Sequence, residues 1–203
     1  MDYSFPKFDK WVILFLLIQF PFCFGAPTGA SSFEKWEIDL NKTKGFIEFK
    51  AIGNPSAFNI IGKGEGPKGL IKIEGSNFTG NLSFALDTLD TDIELRNEHM
   101  KKKYLETGKY PLALLTLTKL SLPSGDGEVK KVPFEGNLNL HGVNKPVKGI
   151  IGSMERKKGE IKVEAEFEIN LSDFAISIPS FADITMAEKV EVKVEFSGPF
   201  SLK

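Results

Sequence analysis

Hydrophobic and polar residues alternate along most of the chain from Trp36 onward. The alternation is clearest in residues 161–170, where Ile, Val, Ala, Phe and Ile alternate with Lys, Glu, Glu, Glu and Asn. Residues 190–196 and 82–86 repeat the pattern. Because successive side chains of a strand point to opposite faces, each of these segments is predicted to be a strand with one buried face and one solvent face.

Other apolar runs predict the remaining strands of the domain. They cover residues 34–39, 45–52, 57–62, 70–74, 112–120, 133–140 and 146–154. Short stretches rich in Gly, Pro, Asn and Asp separate the runs, as in Gly53-Asn54-Pro55 and Lys157-Lys158-Gly159. Since connections this short join antiparallel neighbours, the sequence predicts an all-β antiparallel domain.

Alternation alone leaves two architectures open. The strands can form a two-sheet sandwich or a closed barrel. A barrel of about eight strands either fills its interior with side chains or leaves room for one small ligand, as lipocalins do. The many phenylalanines of the chain are enough to line a ligand cavity with aromatic side chains. Apolar side chains usually just fill a core, however, so composition alone favours the filled interior.

A short helical insertion is predicted near residues 92–105. Thr91 and Glu94 match the capping-box pattern, so the helix is expected to begin near Asp92. Gly108 and Pro111 are expected to end it. A helix at this point interrupts a chain that is otherwise patterned as strands.

One face of the predicted helix is apolar with a basic edge. At helical spacing Ile93, Met100 and Tyr104 fall together, with Arg96 beside them and His99 on the same flank. Laid across the mouth of a barrel, this face closes the interior, and Arg96 and His99 offer donors to the polar head of a ligand. Alternatively, Arg96 pairs with a carboxylate of the rim and His99 caps a backbone carbonyl.

Residues 1–30 have the pattern of a secretory signal peptide. Lys7 and Lys10 precede an apolar run over residues 11–24, and small residues follow up to Ala30. The run is shorter than the roughly 20 residues of a spanning helix, so a membrane anchor is the weaker alternative. We expect a secreted protein with no stable membrane span after cleavage, in which residues 31–203 form one domain.

Charge and cysteine content narrow the possible functions. The chain has 26 basic and 27 acidic residues, which gives no basic surface for nucleic acid. The one cysteine, Cys23, leaves with the signal peptide, so thiol catalysis and disulfides are excluded in the mature chain. No catalytic motif is found, so we predict neither an enzyme nor a cofactor or metal, and a hydrolase is the weakest alternative.

Four motifs follow one another in the order of a known family. They are Trp36-x-x-Asp39; Arg96-Asn-Glu-His-Met100 with Tyr104-Leu105 and Tyr110-Pro111; His141-Gly-Val-Asn-Lys-Pro-Val147; and Phe167-x-Ile-Asn-Leu-Ser-Asp-Phe-Ala-Ile176. Together they resemble the YceI family of polyisoprenoid-binding proteins, with its R-D-x-H-L and H-G-V-T-K-P-V motifs. Asn97 stands where the family has aspartate, and Asn170-Leu171 where it has a basic residue.

The resemblance implies an extended, lipocalin-like antiparallel barrel in the periplasm. Such a barrel is a non-catalytic carrier that holds a long-chain isoprenoid, a quinone-like molecule or another amphiphilic lipid. An envelope stress or structural protein with a filled core and a surface partner is the alternative, and exposed strand edges allow a homodimer. Together with the five helix residues, strand parity matched to the family gives these candidate ligand-binding residues: Ile47, Phe49, Phe84, Leu86, Ala113, Leu115, Phe134, Leu138, Leu140, Phe167, Val192 and Val194.

Overall fold

The computed structural model describes residues 35–54, 59–74, 77–120, 122, 127–181 and 184–202. The predicted signal peptide, residues 1–30, lies outside these ranges. The elements are β1 (Lys35–Asp39), β2 (Lys44–Asn54), β3 (Ile60–Glu65), β4 (Lys68–Glu74), β5 (Asn77–Ala85), α1 (Glu94–His99), β6 (Leu112–Leu120), β7 (Gly127–Leu140), β8 (Val143–Lys157), β9 (Glu160–Asn170), β10 (Ser180–Phe181), β11 (Ile184–Pro199) and β12 (Ser201–Leu202). No helix in the described part of the chain is long and apolar enough to cross a membrane.

Antiparallel pairing joins these strands into a ring. The hydrogen-bonded order is β12-β1-β4-β5-β6-β7-β8-β9-β11-β2-β3. Three pairs of segments continue each other along the chain: β1 with β2, β3 with β4, and β11 with β12. Merging these pairs and setting the two-residue β10 aside reduces the twelve strands to eight. Because β11 pairs with β2 and its continuation β12 pairs with β1, the ladders return to the strand where they begin, and the predicted all-β antiparallel barrel of about eight strands is confirmed.

The two ends of the barrel differ in how tightly the strands are joined. We call the end of the barrel that contains β1, β4 and β12 the lower end, and the end that contains β3 the upper end. At the lower end, β12 pairs with β1, and β4 pairs with β5 along its length. At the upper end, β3 connects to the segment after β5 through a single bridge, in which Lys63 and Asp90 exchange N–H···O bonds of 2.8 and 2.7 Å. The ring therefore opens between β3 and β5 at its upper end.

Side chains fill the lower half of the interior. Strand β6 has the bounds that the alternation predicts. Its odd positions are buried and its even positions exposed up to Leu117, after which a register shift turns Leu120 inward. Phe78, Met154 and Ile161 are among the inward side chains that pack below the middle of the barrel, each no more than 5% exposed. The space left between the apolar side chains there is only about 50 Å³. Half of the barrel therefore has an ordinary close-packed core.

The helix lies within the predicted residues 92–105, but it begins differently. Helix α1 starts at Glu94 with Ile93 as its N-cap, and Ile93 makes no side-chain cap hydrogen bond. The predicted capping box is therefore wrong, because the Thr91 hydroxyl is bonded to Asn97 and Arg96 instead. A turn of π-helix, Met100–Tyr104, follows α1, so the helical segment ends before Gly108.

Candidate ligand-binding cavity

The upper half of the barrel encloses a cavity of about 660 Å³. This volume lies within the range of roughly 300–1,000 Å³ that is typical of small-molecule sites. The register of the strands places the side chains of the cavity wall beside one another. Phe49 and Phe167 are both paired with Val192, and Phe84 is paired with Ala113. The strand residues that line the cavity are Ile47, Phe49, Ala51, Ile60, Phe84, Ala113, Leu138, Leu140, Phe167, Ile169, Met186, Val190 and Val192.

The helical segment closes one side of the cavity, and we call residues 91–105 the lid. The cavity-lining residues of the lid are Thr91, Ile93, Leu95, Arg96, His99, Met100, Lys103, Tyr104 and Leu105. Met100 and Tyr104 are partly buried against the core, whereas Ile93 remains 51% exposed. The helical face predicted from sequence is therefore the face that borders the cavity.

All the candidate ligand-binding residues line this cavity except Leu115, Phe134 and Val194. Those three point into the barrel but lie lower, around the space of about 50 Å³ in the packed half. They occupy the same inward rows as the cavity residues, so parity alone does not distinguish the two levels. Phe84 and Phe167 border both spaces.

Some of the cavity wall was not predicted. Ala51, Ile169 and Val190 share the parity of predicted neighbours, so the alternation contains the signal that would have found them. By contrast, Leu171 and Ile176 come from an irregular segment after β9, where no period marks the inward side chains. The remaining unpredicted lining residues are Ile60 and Met186 of the barrel strands, Thr91, Leu95, Lys103 and Leu105 of the lid, and, outside both, Asn59, Leu89, Pro179 and Ser180.

Arg96 is fixed at the edge of the cavity by Thr91. Its Nε–H donates to Thr91 Oγ1 at 2.8 Å, and its Nη2 donates to the Thr91 carbonyl oxygen at 2.6 Å. Thr91 is 2% exposed and Arg96 is partly exposed, so these bonds are partly buried. The partner of Arg96 is thus a buried threonine rather than the rim carboxylate considered from sequence.

Asn97, which replaces the aspartate of the family motif, connects the lid to the preceding loop. Its Oδ1 accepts from the N–H and the hydroxyl of Thr91 at 2.8 and 2.7 Å. Its Nδ2 donates to Asp90 Oδ1 at 2.6 Å. The Asp92 N–H and this Asn97 amide hold the pKa of Asp90 below its ordinary value of 3.8. An ionised aspartate at position 97 has no N–H to donate, so the amide suits a partner that is itself a carboxylate.

The charges at the cavity have one sign. Among the described lining residues, the side chains that can carry charge near neutral pH are Arg96, Lys103 and, when protonated, His99. On the outer face of the lid, Glu98 Oε1 accepts from Lys102 Nζ at 2.8 Å, and this bond lowers the pKa of Glu98. The basic edge therefore faces the cavity, while the acidic partner faces solvent.

His141 lies outside the cavity and connects three segments. It occupies the turn between β7 and β8 with φ 52°, followed by Gly142 with φ 77°, as a type I′ turn requires. Its Nδ1 is 3.2 Å from the Phe174 carbonyl oxygen, and its Nε2 is 2.7 Å from Glu106 Oε2. Since Glu106 directly follows the lid, His141 holds the end of the lid against the barrel.

The arrangement has the character of a binding site. Within the described ranges, no group of three or more His, Cys, Asp or Glu side chains is placed to hold a metal ion. The walls are mostly apolar, and the lining side chains that can carry charge all lie on the lid. An apolar cavity with a few polar groups on one side fits a molecule with an apolar body and one polar end.

Solved structures of other proteins are similar to the structure of this chain. BcnA of Burkholderia cenocepacia matches with a TM-score of 0.62 at 15% identity, over 79% of this chain and 99% of that one. A polyisoprenoid-binding domain from Saccharophagus degradans, implicated in plant cell wall breakdown, matches with a TM-score of 0.60 at 14% identity, over 84% of this chain and 99% of that one. At these identities the likeness shows a shared fold.

Sequence comparison extends the likeness to a family. A UPF0312 protein of Pectobacterium atrosepticum is 27% identical over 177 residues, which cover 82% of this chain and 90% of the relative. The family model described as the YceI-like domain matches residues 36–198, a range that contains the lid and nearly all of the barrel. The chain belongs to the YceI family.

Proposed function

We propose that this protein is a non-catalytic carrier of an amphiphilic lipid. The tail of the ligand, a long-chain isoprenoid, a quinone-like molecule or a related lipid, occupies the upper cavity. The observation that carries the proposal is the apolar cavity of about 660 Å³ beneath a lid whose inner face is apolar and basic. The alternative, a structural protein with a filled core, requires a packed interior, and only the lower half of the barrel has one.

The strand walls supply the binding energy for the tail. Phe49, Leu138 and Val192 are representative of a lining made of aliphatic and aromatic side chains. Moving one CH₂ group from water into such surroundings gains about 0.8 kcal/mol, so a tail of many carbons gains enough to offset the loss of its freedom. The cavity therefore favours a ligand whose apolar part is long.

The lid provides for the head group. Arg96, His99 and Lys103 offer N–H donors, and the carboxylates of the lid face outward. A head group with acceptor oxygens, such as a phosphate, a carboxylate or a quinone carbonyl, matches these donors. The relation to a structurally similar polyisoprenoid-binding domain supports the same class of ligand.

The proposed carrier works outside the cytoplasm, in the periplasm or after secretion. The support is the signal-peptide pattern of residues 1–30. A homodimer is part of the proposal, because the outer edge of β3 carries a single bridge and can accept another strand. Size-exclusion chromatography with light scattering of the mature chain tests the dimer separately from lipid binding.

Native mass spectrometry tests lipid binding. The protein is purified from its own cell envelope, and its mass is measured under native and denaturing conditions. The expected result is a complex heavier than the chain by one lipid, which denaturation releases. A chain that carries no lipid and also fails to take up a fluorescent fatty acid contradicts the proposal.

Two neighbouring lysines test the position of the head group. Lys103 lines the cavity, whereas Lys102 lies on the outer face and pairs with Glu98 at 2.8 Å. Lys103→Gln is expected to weaken binding of a fluorescent fatty acid by about tenfold, the effect of losing roughly 1.4 kcal/mol from a charge-assisted hydrogen bond. Lys102→Gln changes the net charge equally and is expected to leave affinity unchanged. Equal effects of the two variants contradict placement of the head group at the lid.

A further inference from the structure

We propose that Phe84 and Phe167 form a floor that limits the ligand tail to roughly 25 carbon atoms, the number that the cavity volume accommodates. This inference rests on the proposed lipid-binding function and specifies the length of the lipid. The preferred ligand is then an isoprenoid of about five units or a lipid of similar tail length, and isoprenoids much longer than the cavity are bound no more tightly.

The floor lies where the two internal spaces meet. Phe84 and Phe167 border both the upper cavity and the small space beneath it. They are 3% and 7% exposed and project from β5 and β9, on different sides of the ring. Below them, the Phe134 ring meets the Phe167 ring edge to face, with centroids 6.2 Å apart. The Phe167 ring is therefore supported from the packed half.

A glycine gives the supporting ring its place. A Cβ at Gly149 would lie 2.5 Å from atoms of the Phe134 ring and 2.5 Å from the Glu166 carbonyl oxygen. Gly149 stands opposite both Phe134 and Phe167 in the ladders of β8. The absence of a side chain at Gly149 thus lets the ring of Phe134 lie over the β8 backbone, beside the strand that carries Phe167.

The volumes give the length limit. A cavity of about 150 Å³ holds one benzene molecule, which corresponds to about 25 Å³ for each carbon atom. At that packing, the upper cavity of about 660 Å³ holds roughly 25 carbons, or about five isoprene units. The lower space of about 50 Å³ holds only about two more. A longer tail has to leave its remaining carbons at the mouth, where water surrounds them.

Tail length therefore affects affinity in two regimes. Each isoprene unit that fits above the floor removes more apolar surface from water and raises affinity. Units beyond the floor remain outside and add nothing. A plot of the logarithm of affinity against tail length is expected to rise and then level off at about five units, the limit obtained from the cavity volume.

Competition against a fluorescent fatty acid measures this plot. The competitors are isoprenoid alcohols of three to nine units, which share one head group. In Phe167→Ala, loss of a six-carbon ring joins the two spaces and frees about 200 Å³, so the levelling point is expected to move by one to two units. Phe84→Ala is expected to move it in the same direction. Phe167→Leu, a milder change, serves if the alanine variant does not fold, and its shift is smaller but of the same sign.

Phe78→Ala is the matched control. Phe78 is 5% exposed and borders only the lower space, so its truncation removes the same ring without opening the floor. Its levelling point is expected to equal that of the unmodified protein. Affinity that rises steadily to nine units in the unmodified protein, or an equal shift in Phe78→Ala, overturns the floor while lipid binding stands. Failure to bind any of the alcohols or the fatty acid overturns both the floor and the proposed function.

Discussion

The lower and upper halves of this barrel are built from the same strands and the same alternation, yet one is filled and the other is hollow. In the lower half the inward side chains meet across the ring and leave about 50 Å³, whereas in the upper half they leave about 660 Å³. Both halves are lined by apolar side chains. The difference shows that the apolar pattern fixes which side chains face inward, while the pairing of the strands fixes how far apart they stand.

The divergence of β3 from β5 explains the hollow half. Where β4 pairs with β5 the ladder is continuous. By contrast β3, which precedes Pro67 in the chain, meets the segment after β5 through the Lys63–Asp90 bridge and a bond of 3.1 Å from the Glu65 N–H to Thr88 Oγ1. The ring is wider there, so side chains of ordinary size no longer reach each other. The lid covers the resulting opening, and its Ile93 and Leu95 line the cavity while remaining exposed to solvent.

A pair of leucines gives the sharpest test of this contrast. Leu120 faces the lower space and Leu138 faces the upper cavity, and both are 4% exposed. Leu120→Ala is expected to cost about 3–5 kcal/mol of unfolding free energy, because it leaves a new void in a packed region. Leu138→Ala is expected to cost about 1–3 kcal/mol, since its side chain already lacks packing partners on the cavity side. Urea unfolding of both variants, without lipid, measures the difference.

Equal costs for the two leucine variants would contradict the contrast. Such a result would mean that the upper half collapses around its space when no ligand is bound. A different result would agree with a cavity that the ligand fills: Leu138→Ala is less stable than the unmodified protein without lipid, and a fatty acid removes this difference. A ligand that binds only the folded state stabilises that state.

Two alanines test the contrast from the opposite direction. Ala113 lines the upper cavity, and Ala165 lines the lower space. Ala165→Leu is expected to overpack the lower half at a cost of about 1–3 kcal/mol. Ala113→Leu is expected to leave the unfolding free energy unchanged or higher while weakening lipid binding, because the added atoms occupy space meant for the tail. Thermal unfolding and fluorescent fatty acid titration of both variants provide the measurements.

The smallest expected effect concerns acid and the lid. The pKa of Asp90 is lowered by the Asp92 N–H and the Asn97 amide, so its contribution is present above pH 3.8 and is lost as pH falls through the lower folded value. Hydrogen exchange followed by mass spectrometry is expected to show faster exchange in residues 93–105 below that range, after correction for intrinsic rates. Asp90→Asn is expected to remove this pH dependence.

Asp39 is the control for that experiment. Its pKa is also lowered, chiefly by the Asn41 side chain, but it is the last residue of β1 and lies outside the lid. Asp39→Asn is expected to leave exchange in the lid unchanged at every pH. A lid that loosens in acid equally in Asp90→Asn would show that another group controls it.

The sequence was enough to predict every strand except the two-residue β10 and β12, and most of the cavity wall. Period-two alternation gave β6 its observed bounds, and parity matched to the family placed Phe49, Leu138 and Val192 inward. The buried face of a strand can be recognised in the sequence, because a polar residue in the inward-facing row would lose its hydration.

Three features could not be predicted from the sequence: the level at which an inward side chain lies, the N-cap of the helix, and the lining residues that lie outside the strands. Leu115, Phe134 and Val194 were predicted to bind the ligand with the residues above them, because an inward side chain looks alike in a filled and in a hollow level. The capping box failed because Thr91 has a competing partner, Arg96, whose position depends on the folded lid. The loop residue Ile176 lies outside any period, so only the structure shows that it borders the cavity.

The pairing of β12 with β1 has a consequence for when the protein can be loaded. The hairpins from β5 to β9 join neighbours in sequence, but Trp36 pairs with Leu202, so the ring closes through strands from opposite ends of the barrel domain. Bringing such distant segments together has a large entropic cost, which makes it a late and slow event in folding. A chain still emerging during synthesis has no closed interior, so the proposed lipid can be taken up only after the whole barrel domain is complete.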